Sequence, residues 1–329
     1  MSTTVIPLSH ETWFVRDPDH YPLDWAALGR PVVVLGLMLA VAVAVVWRLA
    51  ARRLPSPELP LRHLTRLVPW VPRLLGIHLG VSLLLLAYER SVLDPGIAAG
   101  DGPIGTLLVV PQVLAAVLLV TGYGVRLAAW AVVAAGPVLL LLSGPQALFS
   151  CLVLLGIAGF IIAVPPQPEL GGRARLDVRH LRPAVLALRL GTASTLLTLA
   201  VVEKLANPEM ADAMLAQEPV LQVLSPFGIS PDAFAVVAGL VEVLFALLVI
   251  SGALPQVVAL VAAVPFTASL FVFGSTELVG HLPVYGVLLT LLVLGSHRST
   301  SLELSHIPGC HSARPSAAPG RVASSLATS

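Results

Sequence analysis

RLGTASTLLTLAVVEKLANP, residues 189–208, is an apolar stretch of membrane length that begins with an arginine and ends shortly after Glu203 and Lys204. A helix needs about 20 apolar residues to cross the hydrocarbon core of a bilayer. An acid and a lysine at the end of such a helix are costly to remove from water. They therefore either form a functional site or reach the membrane surface, and this stretch alone leaves both interpretations open.

A second stretch upstream resembles the first. Residues 73–95, RLLGIHLGVSLLLLAYERSVLDP, align with it so that Gly76 lies over Gly191. Further along the chain the alignment places Gln112 over Glu242. We therefore predict an internal repeat of two four-helix units. Both units begin and end on the same side of the membrane, so the repeat is parallel and its axis lies along the membrane normal.

The composition is that of a membrane protein. Hydrophobic residues make up 57% of the chain and charged residues 11%, whereas about a quarter of a soluble domain is charged. A net charge of +1 gives no reason to expect nucleic acid as a partner, and the lipid bilayer is the expected surrounding. Cys151 and Cys310 do not form a C-x-x-C motif.

Nine apolar spans predict the fold class, an all-α polytopic membrane helical bundle. The spans are residues 31–49, 74–88, 104–121, 125–142, 147–164, 185–205, 234–254, 256–273 and 278–295. They predict a leading helix followed by the two four-helix units. The expected divisions are an N-terminal segment 1–30, a leading helix 31–49, a loop 50–73, a first unit 74–164, a basic linker 165–184, a second unit 185–295 and a disordered tail 296–329.

Basic residues predict the orientation, because cytoplasmic loops collect Lys and Arg. With the N-terminus outside, 15 of the 19 basic residues fall on the cytoplasmic side. Arg16, Arg30, Arg90 and Lys204 are the exceptions. The C-terminus is then cytoplasmic, and an arginine-rich composition with one lysine favours a bacterial plasma membrane. Arg73 and Arg189, near the cytoplasmic ends of their helices, are expected to reach the lipid headgroups.

The N-terminal segment contains HETWF at residues 10–14. Its aromatic rings either rest at the headgroup level or belong to a small ordered cap over the bundle.

The second unit is richer in ionisable side chains than the first. Its polar residues are Glu203, Lys204, Glu242, Glu277, His281 and Tyr285. The aligned residues of the first unit are Tyr88, Glu89, Gln112, Ala147, Cys151 and Leu155. A buried charge in a membrane costs about 3 kcal/mol. Because the second unit retains several ionisable residues despite this cost, we expect the functional site in the second unit and a scaffolding role for the first. The alternative is drift between two structural copies.

The last helix carries Glu277, His281 and Tyr285 at intervals of four residues, which places them on one face. Such a site could pass a proton, hold the headgroup of a quinone, or bind a metal if three or four ligands converged. We expect Glu242 and His281 to exchange protons as the catalytic pair, and we expect no metal. The expected substrate-binding residues are Glu203, Lys204, Glu277 and Tyr285.

These residues resemble the DoxX family of four-helix membrane proteins. The resemblance rests on Arg189-Leu190-Gly191, Glu203-Lys204-Leu205, Gly239, Glu242, Gly252, Glu277 and Gly280-His281-Leu282-Pro283. It covers the second unit, and the first unit looks like a degenerate copy. The family includes quinone-linked subunits of sulfur-compound oxidation or of oxidant defence, and assembly factors for membrane proteins. The paired cysteines of a thiol relay are absent from this chain.

The resemblance implies two candidate functions, and the parallel repeat suggests a third. The first is a quinone-linked accessory subunit of a membrane redox system, with quinone as the candidate cofactor. The second is a non-enzymatic assembly factor for a membrane or extracytoplasmic protein partner. The third is a small-solute transporter. The loss of ionisable residues from the first unit argues against this function.

Overall fold

A computed structural model describes most of the chain between residues 21 and 304. The described residues are 21–54, 59, 61–100, 102–166, 176, 178–217, 230–273 and 275–304. The HETWF stretch at residues 10–14 and the tail beyond residue 304 lie outside them.

Eleven α-helices make up most of this part of the chain. They are α1 Pro31–Arg53, α2 Val71–Tyr88, α3 Pro103–Thr121, α4 Val125–Ser150, α5 Leu152–Ala163, α6 Leu181–Leu199, α7 Pro208–Gln217, α8 Pro231–Ser251, α9 Pro255–Phe273, α10 Ser275–Gly295 and α11 Arg298–Leu304. A π-helix, Ala200–Leu205, continues α6 directly.

Nine of these helices are apolar and correspond in order to the nine predicted spans. Six helical stretches are long and apolar enough to cross a membrane, and three further apolar stretches in the described residues are shorter. The predicted fold class, an all-α polytopic membrane bundle, is confirmed. Helix α1 is the least buried of the long spans, with 17% of its most apolar stretch buried, so most of its surface is left for lipid.

The two predicted units pack against each other through two main helix pairs. Helix α5 packs on α6, and α10 packs on α2. At the first contact, a Cβ on Gly156 would lie 2.8 Å from the carbonyl oxygen of Ala187, so only glycine allows this approach. The core between the units is aliphatic, and Leu79 and Ile157 have no exposed surface.

Arg73 and Arg189 cap helix ends at corresponding places in the two units. Arg73 donates hydrogen bonds to the carbonyl oxygens of Leu119 and Val120, at 2.9 and 2.6 Å, where α3 ends. Arg189 donates to Val249 at 2.9 Å and to Ile250, where α8 ends. The last carbonyls of a helix have no partner within it, so a guanidinium stabilises them.

This capping corrects the expectation that both arginines reach the headgroups. Arg189 is 2% exposed, and it also donates to the carbonyl oxygen of Leu304 at 3.0 Å. Each capped helix is followed by a glycine with positive φ, Gly122 at +90° and Gly252 at +59°. The matched pairs support the predicted repeat, and we name this side of the bundle the arginine end.

The structure differs from the sequence prediction in two regions: after the last helix of the second unit, and in α4 and α5 of the first unit. Disorder was predicted from residue 296 onward, but Arg298–Leu304 forms α11, which Arg189 holds. The predicted span 147–164 is interrupted, because the helix breaks at Cys151 and starts again at Leu152. Gly144, with φ of 81°, adds a kink inside α4.

A short β-hairpin, which the sequence did not predict, follows α2. Its strands β1, Ser91–Val92, and β2, Asp94–Ala98, are antiparallel. It lies at the opposite end of α2 from Arg73, and we call this side of the bundle the hairpin end. Arg30 also lies there and forms a two-point ion pair with Asp232, which fixes the start of α1 to the start of α8.

Candidate functional site

A cavity lined by both apolar and polar side chains lies between the two predicted units. Its volume is about 50 Å³, and it is partly open. A cavity of this size has room for about two water molecules. The polar side chains that line it are Ser82, Asp94, Ser150 and Cys151 from the first unit, and Thr195, Glu242 and His281 from the second. The cavity is therefore shared, although the sequence assigned the site to the second unit alone.

Glu242 enters the cavity from α8 and is paired with the one lysine of the chain. Oε1 of Glu242 lies 3.2 Å from Nζ of Lys204, and the two side chains are 21% and 11% exposed. The other oxygen, Oε2, is buried without a hydrogen-bond partner among the described residues. Because a buried carboxylate oxygen is costly to leave without a donor, this atom is a site for a water molecule or a ligand donor.

The backbone around Lys204 explains how the ion pair forms. Lys204 lies in the π-helix that ends α6, and π-helical turns are frequent at functional sites. A Cβ on Gly239, one turn before Glu242, would lie 3.1 Å from Cβ of Lys204 and 2.9 Å from a methyl group of Leu205. The missing side chain at Gly239 lets the π-helix approach α8 closely and brings the ammonium to the carboxylate.

His281 lines the same cavity from α10. Its side chain is 6% exposed, and its ring packs edge-on against Phe266 of α9 with the ring centroids 4.7 Å apart. This packing fixes the plane of the imidazole. A carboxylate and an imidazole that line one small cavity can both accept and release protons.

The first unit contributes a second carboxylate, Asp94. Its Oδ2 accepts a hydrogen bond from the hydroxyl of Ser150 at 2.5 Å. Ser150 lies at the break between α4 and α5, so Asp94 is close to the N-terminus of α5, where negative charge is stabilised. The break itself is held from the second unit, because the backbone N–H of Val153 donates to Oγ1 of Thr195 at 2.8 Å.

The remaining predicted site residues lie elsewhere. Glu203 is 8% exposed in the π-helix, and Tyr285 has its hydroxyl 3.4 Å from Oγ1 of Thr267. Neither lines the cavity in the described structure. Glu277 belongs to α10, but its side chain lies outside the described part of the chain. Within the described residues, no group of three or more His, Cys, Asp or Glu could hold a metal ion.

Asp94, Ser150 and Thr195 were not predicted from the sequence as residues of this cavity. Asp94 stood in a loop between two spans, where acids are common. Ser150 and Thr195 are small polar residues inside apolar stretches, where a hydroxyl usually bonds to its own helix. The only available signal was the position of Cys151, which aligns with His281 across the predicted repeat.

Comparison with known proteins identifies part of the chain. Residues 184–275 match the model of the DoxX family. No curated protein and no solved structure matches the chain. The second half therefore contains a DoxX segment, as the sequence predicted, and its apolar helices make the protein an integral membrane protein in contact with the lipid bilayer. The match includes Lys204 and Glu242 and ends before His281.

Proposed function

We propose that this membrane protein exchanges protons in the cavity between its two units, together with a lipid-soluble redox carrier of the quinone class. It would serve as an accessory subunit of a membrane redox system. The observation that carries the proposal is that Glu242 and His281 line one cavity and that Glu242 is ion-paired with Lys204. Reduction of a quinone consumes protons, and this cavity holds two groups that can supply them.

The size of the cavity determines how such a carrier would bind. A cavity of about 150 Å³ encloses benzene, so the 50 Å³ here is too small to enclose a quinone ring. The ring would lie at the opening, and one carbonyl oxygen would point inward toward water or His281. The buried Oε2 of Glu242 would accept a hydrogen bond from the reduced form or from water.

The arrangement in the membrane is part of the same proposal. Arg48, Arg73 and Arg189 all bind backbone carbonyls at the arginine end. We assign this end to the cytoplasmic side, because cytoplasmic segments are enriched in arginine. The N-terminus and the cavity-lining hairpin would then face the outside of a bacterial plasma membrane, where an extracytoplasmic partner subunit could reach them.

Binding of a quinone to the purified protein tests the proposal. Decylubiquinone would be titrated into the protein in lipid nanodiscs. We expect Glu242→Gln and His281→Ala each to weaken binding at least about tenfold, which corresponds to about 1.4 kcal/mol. Thr267→Val is the matched control, because this α9 side chain lies outside the cavity, and its affinity should equal that of the wild type.

Two outcomes would count against the redox role. If the wild-type protein binds no decylubiquinone, the carrier is excluded and the assembly function becomes the better explanation. If both cavity variants bind as well as Thr267→Val does, the carrier binds elsewhere and Glu242 and His281 have another role.

Transport of a small solute is the second candidate, and the shared cavity favours it. In many transporters the substrate site lies between two structural repeats. The first unit supplies Asp94, Ser150 and Cys151 to this cavity, so the sequence-based argument against a two-sided pathway no longer holds. Proteoliposomes containing a pH-sensitive dye would detect proton-coupled uptake, and a dye response equal to that of empty liposomes would exclude it.

A further inference from the structure

We infer that Asp94 is a second proton-binding residue of the cavity and that Gln112 is the residue that positions it. The inference rests on the proposed proton exchange and adds the first unit to it. Asp94 lines the cavity and accepts a hydrogen bond from Ser150 at 2.5 Å. A serine hydroxyl can accept a proton on one side and donate on the other, so it can relay a proton between a carboxyl group and water.

The β-hairpin places Asp94 in the cavity through an unusual backbone. Arg90 and Leu93 have positive φ angles, 55° and 58°, in the left-handed region that non-glycine residues rarely adopt. Asp94 follows Leu93 directly and pairs with Val92 across the hairpin. Residues with such backbone angles persist only where the surrounding structure holds them.

Gln112 holds this backbone from α3. Its Nε2 donates to the carbonyl oxygens of Leu83 and Ser91, at 3.1 and 3.0 Å. Its Oε1 accepts the backbone N–H of Leu93 at 3.0 Å. The side chain is 7% exposed, so all three bonds are shielded from water.

These bonds require an amide and not a carboxylate. An ionised glutamate at position 112 has no N–H to donate and would place negative charge beside two carbonyl oxygens. Position 112 aligns with Glu242 across the proposed repeat. The first unit therefore has an amide where the second has an acid, and that amide fixes a hairpin that brings a different acid, Asp94, to the same cavity.

The resulting site has an acid on each side. Asp94 faces it from the hairpin and Glu242 from α8, while His281 and Cys151 are the other titratable groups that line it. Lys204 balances the charge of Glu242. A proton from outside would bind Asp94, pass through Ser150 and the cavity water, and reach His281 or Glu242. No electron is transferred in this step, and the proton that leaves Asp94 is the one that His281 or Glu242 receives.

Carbodiimide labelling tests the placement of Asp94 without any quinone. Dicyclohexylcarbodiimide is lipophilic and reacts with protonated carboxyl groups. The full-length protein would be labelled in nanodiscs, and mass spectrometry would identify the labelled residues. We expect Asp94 to be labelled, increasingly so as the pH is lowered. In Gln112→Glu, labelling of Asp94 should fall at least about fivefold, while the melting temperature reports whether the protein still folds.

Proton uptake tests the role of Asp94. Uptake would be measured while an added chemical reductant supplies both electrons to decylubiquinone, in the wild type, Asp94→Asn and Asp94→Glu. Neither substitution alters the bonds of Gln112. We expect at least about a tenfold slower uptake in Asp94→Asn and substantial recovery in Asp94→Glu, because only the latter restores a proton-binding group.

The results separate this inference from the proposed function. Labelling of Asp94 in a protein that does not respond to quinone would leave Asp94 in the cavity and remove the redox role. The inference would be overturned if Asp94 carried no label. It would also be overturned if Asp94→Asn and the wild type took up protons at equal rates while Glu242→Gln was slow. Either result would leave the proposed function in place.

Discussion

Nζ of Lys204 lies 3.2 Å from Oε1 of Glu242, so the one lysine of the chain neutralises the acid that enters the central cavity. The pair connects the π-helix after α6 to the middle of α8. Its two side chains are 11% and 21% exposed, so both charges are largely removed from solvent. Each charge therefore depends on the other.

Replacing Lys204 by methionine should destabilise the protein by about 3 kcal/mol, because Glu242 then keeps a buried charge without its cation. The double variant Lys204→Met/Glu242→Gln should be more stable than Lys204→Met alone, since it removes the second charge as well. Denaturant unfolding in detergent would measure both. Equal stability of Lys204→Met and the wild type would mean that the pair is exposed to water.

Replacing Arg189 by methionine should destabilise the arginine end by about 2 kcal/mol, because the carbonyls of Val249, Ile250 and Leu304 lose their donor. Hydrogen exchange should increase first in α11, which Arg189 connects to α8. Arg126→Met is the control, because this side chain is exposed. Unchanged exchange in α11 would contradict the assigned contact.

Replacing Gly156 by alanine should destabilise the α5–α6 contact by about 1–3 kcal/mol, because the new methyl group would lie 2.8 Å from a backbone oxygen. Gly159 on the same helix offers a matched comparison. A Cβ there would lie 3.4 Å from its nearest neighbour, Cβ of Ala187, so Gly159→Ala should fold normally. Similar melting temperatures for the two variants would show that the helices are further apart.

Asp212, in α7 outside the membrane spans, should give a small pH dependence of stability. Although its side chain is exposed, partial desolvation and the nearby charge of Asp232 raise its pKa above the ordinary value of 3.8, while Arg30 lowers it. An acid with a raised pKa binds its proton more readily in the folded state, so its contribution to stability is present at low pH and is lost as the pH rises through the folded pKa.

The variant Asp212→Asn should therefore lose this contribution to the pH dependence and be at least as stable as the wild type at neutral pH. Melting temperatures between about pH 4 and pH 7 would measure the difference. Glu209→Gln, which removes another exposed acid from the same helix, is the control. A variant that is less stable than the wild type at neutral pH would show that Asp212 is held by a cation instead.

The fold was largely predictable because a bilayer imposes a length on each helix. The nine spans and their order follow from that constraint. The hairpin, α7 and α11 were not predicted, because short elements at the ends of a bundle carry no long apolar pattern. The break at Cys151 was missed for a related reason, since the residues on both sides of it are apolar.

The arrangement around the cavity was predictable in part. Glu242, His281 and Lys204 stood out because ionisable residues in apolar stretches are rare. Asp94 did not stand out, since nothing in a loop sequence shows which way its backbone turns. The arginines were interpreted wrongly, because a guanidinium near a helix end can reach either headgroups or carbonyls. Only the packed neighbours, the ends of α3 and α8, decide between the two.

By itself, the sequence determined that this protein is a membrane bundle of apolar helices and that its second half contains a DoxX segment. Those properties follow from local composition and spacing. Only the tertiary structure decided that the cavity belongs to both units and that Asp94 and Glu242 line it together. The reason is that residues far apart in the chain become neighbours only when α5 packs on α6 and α10 packs on α2.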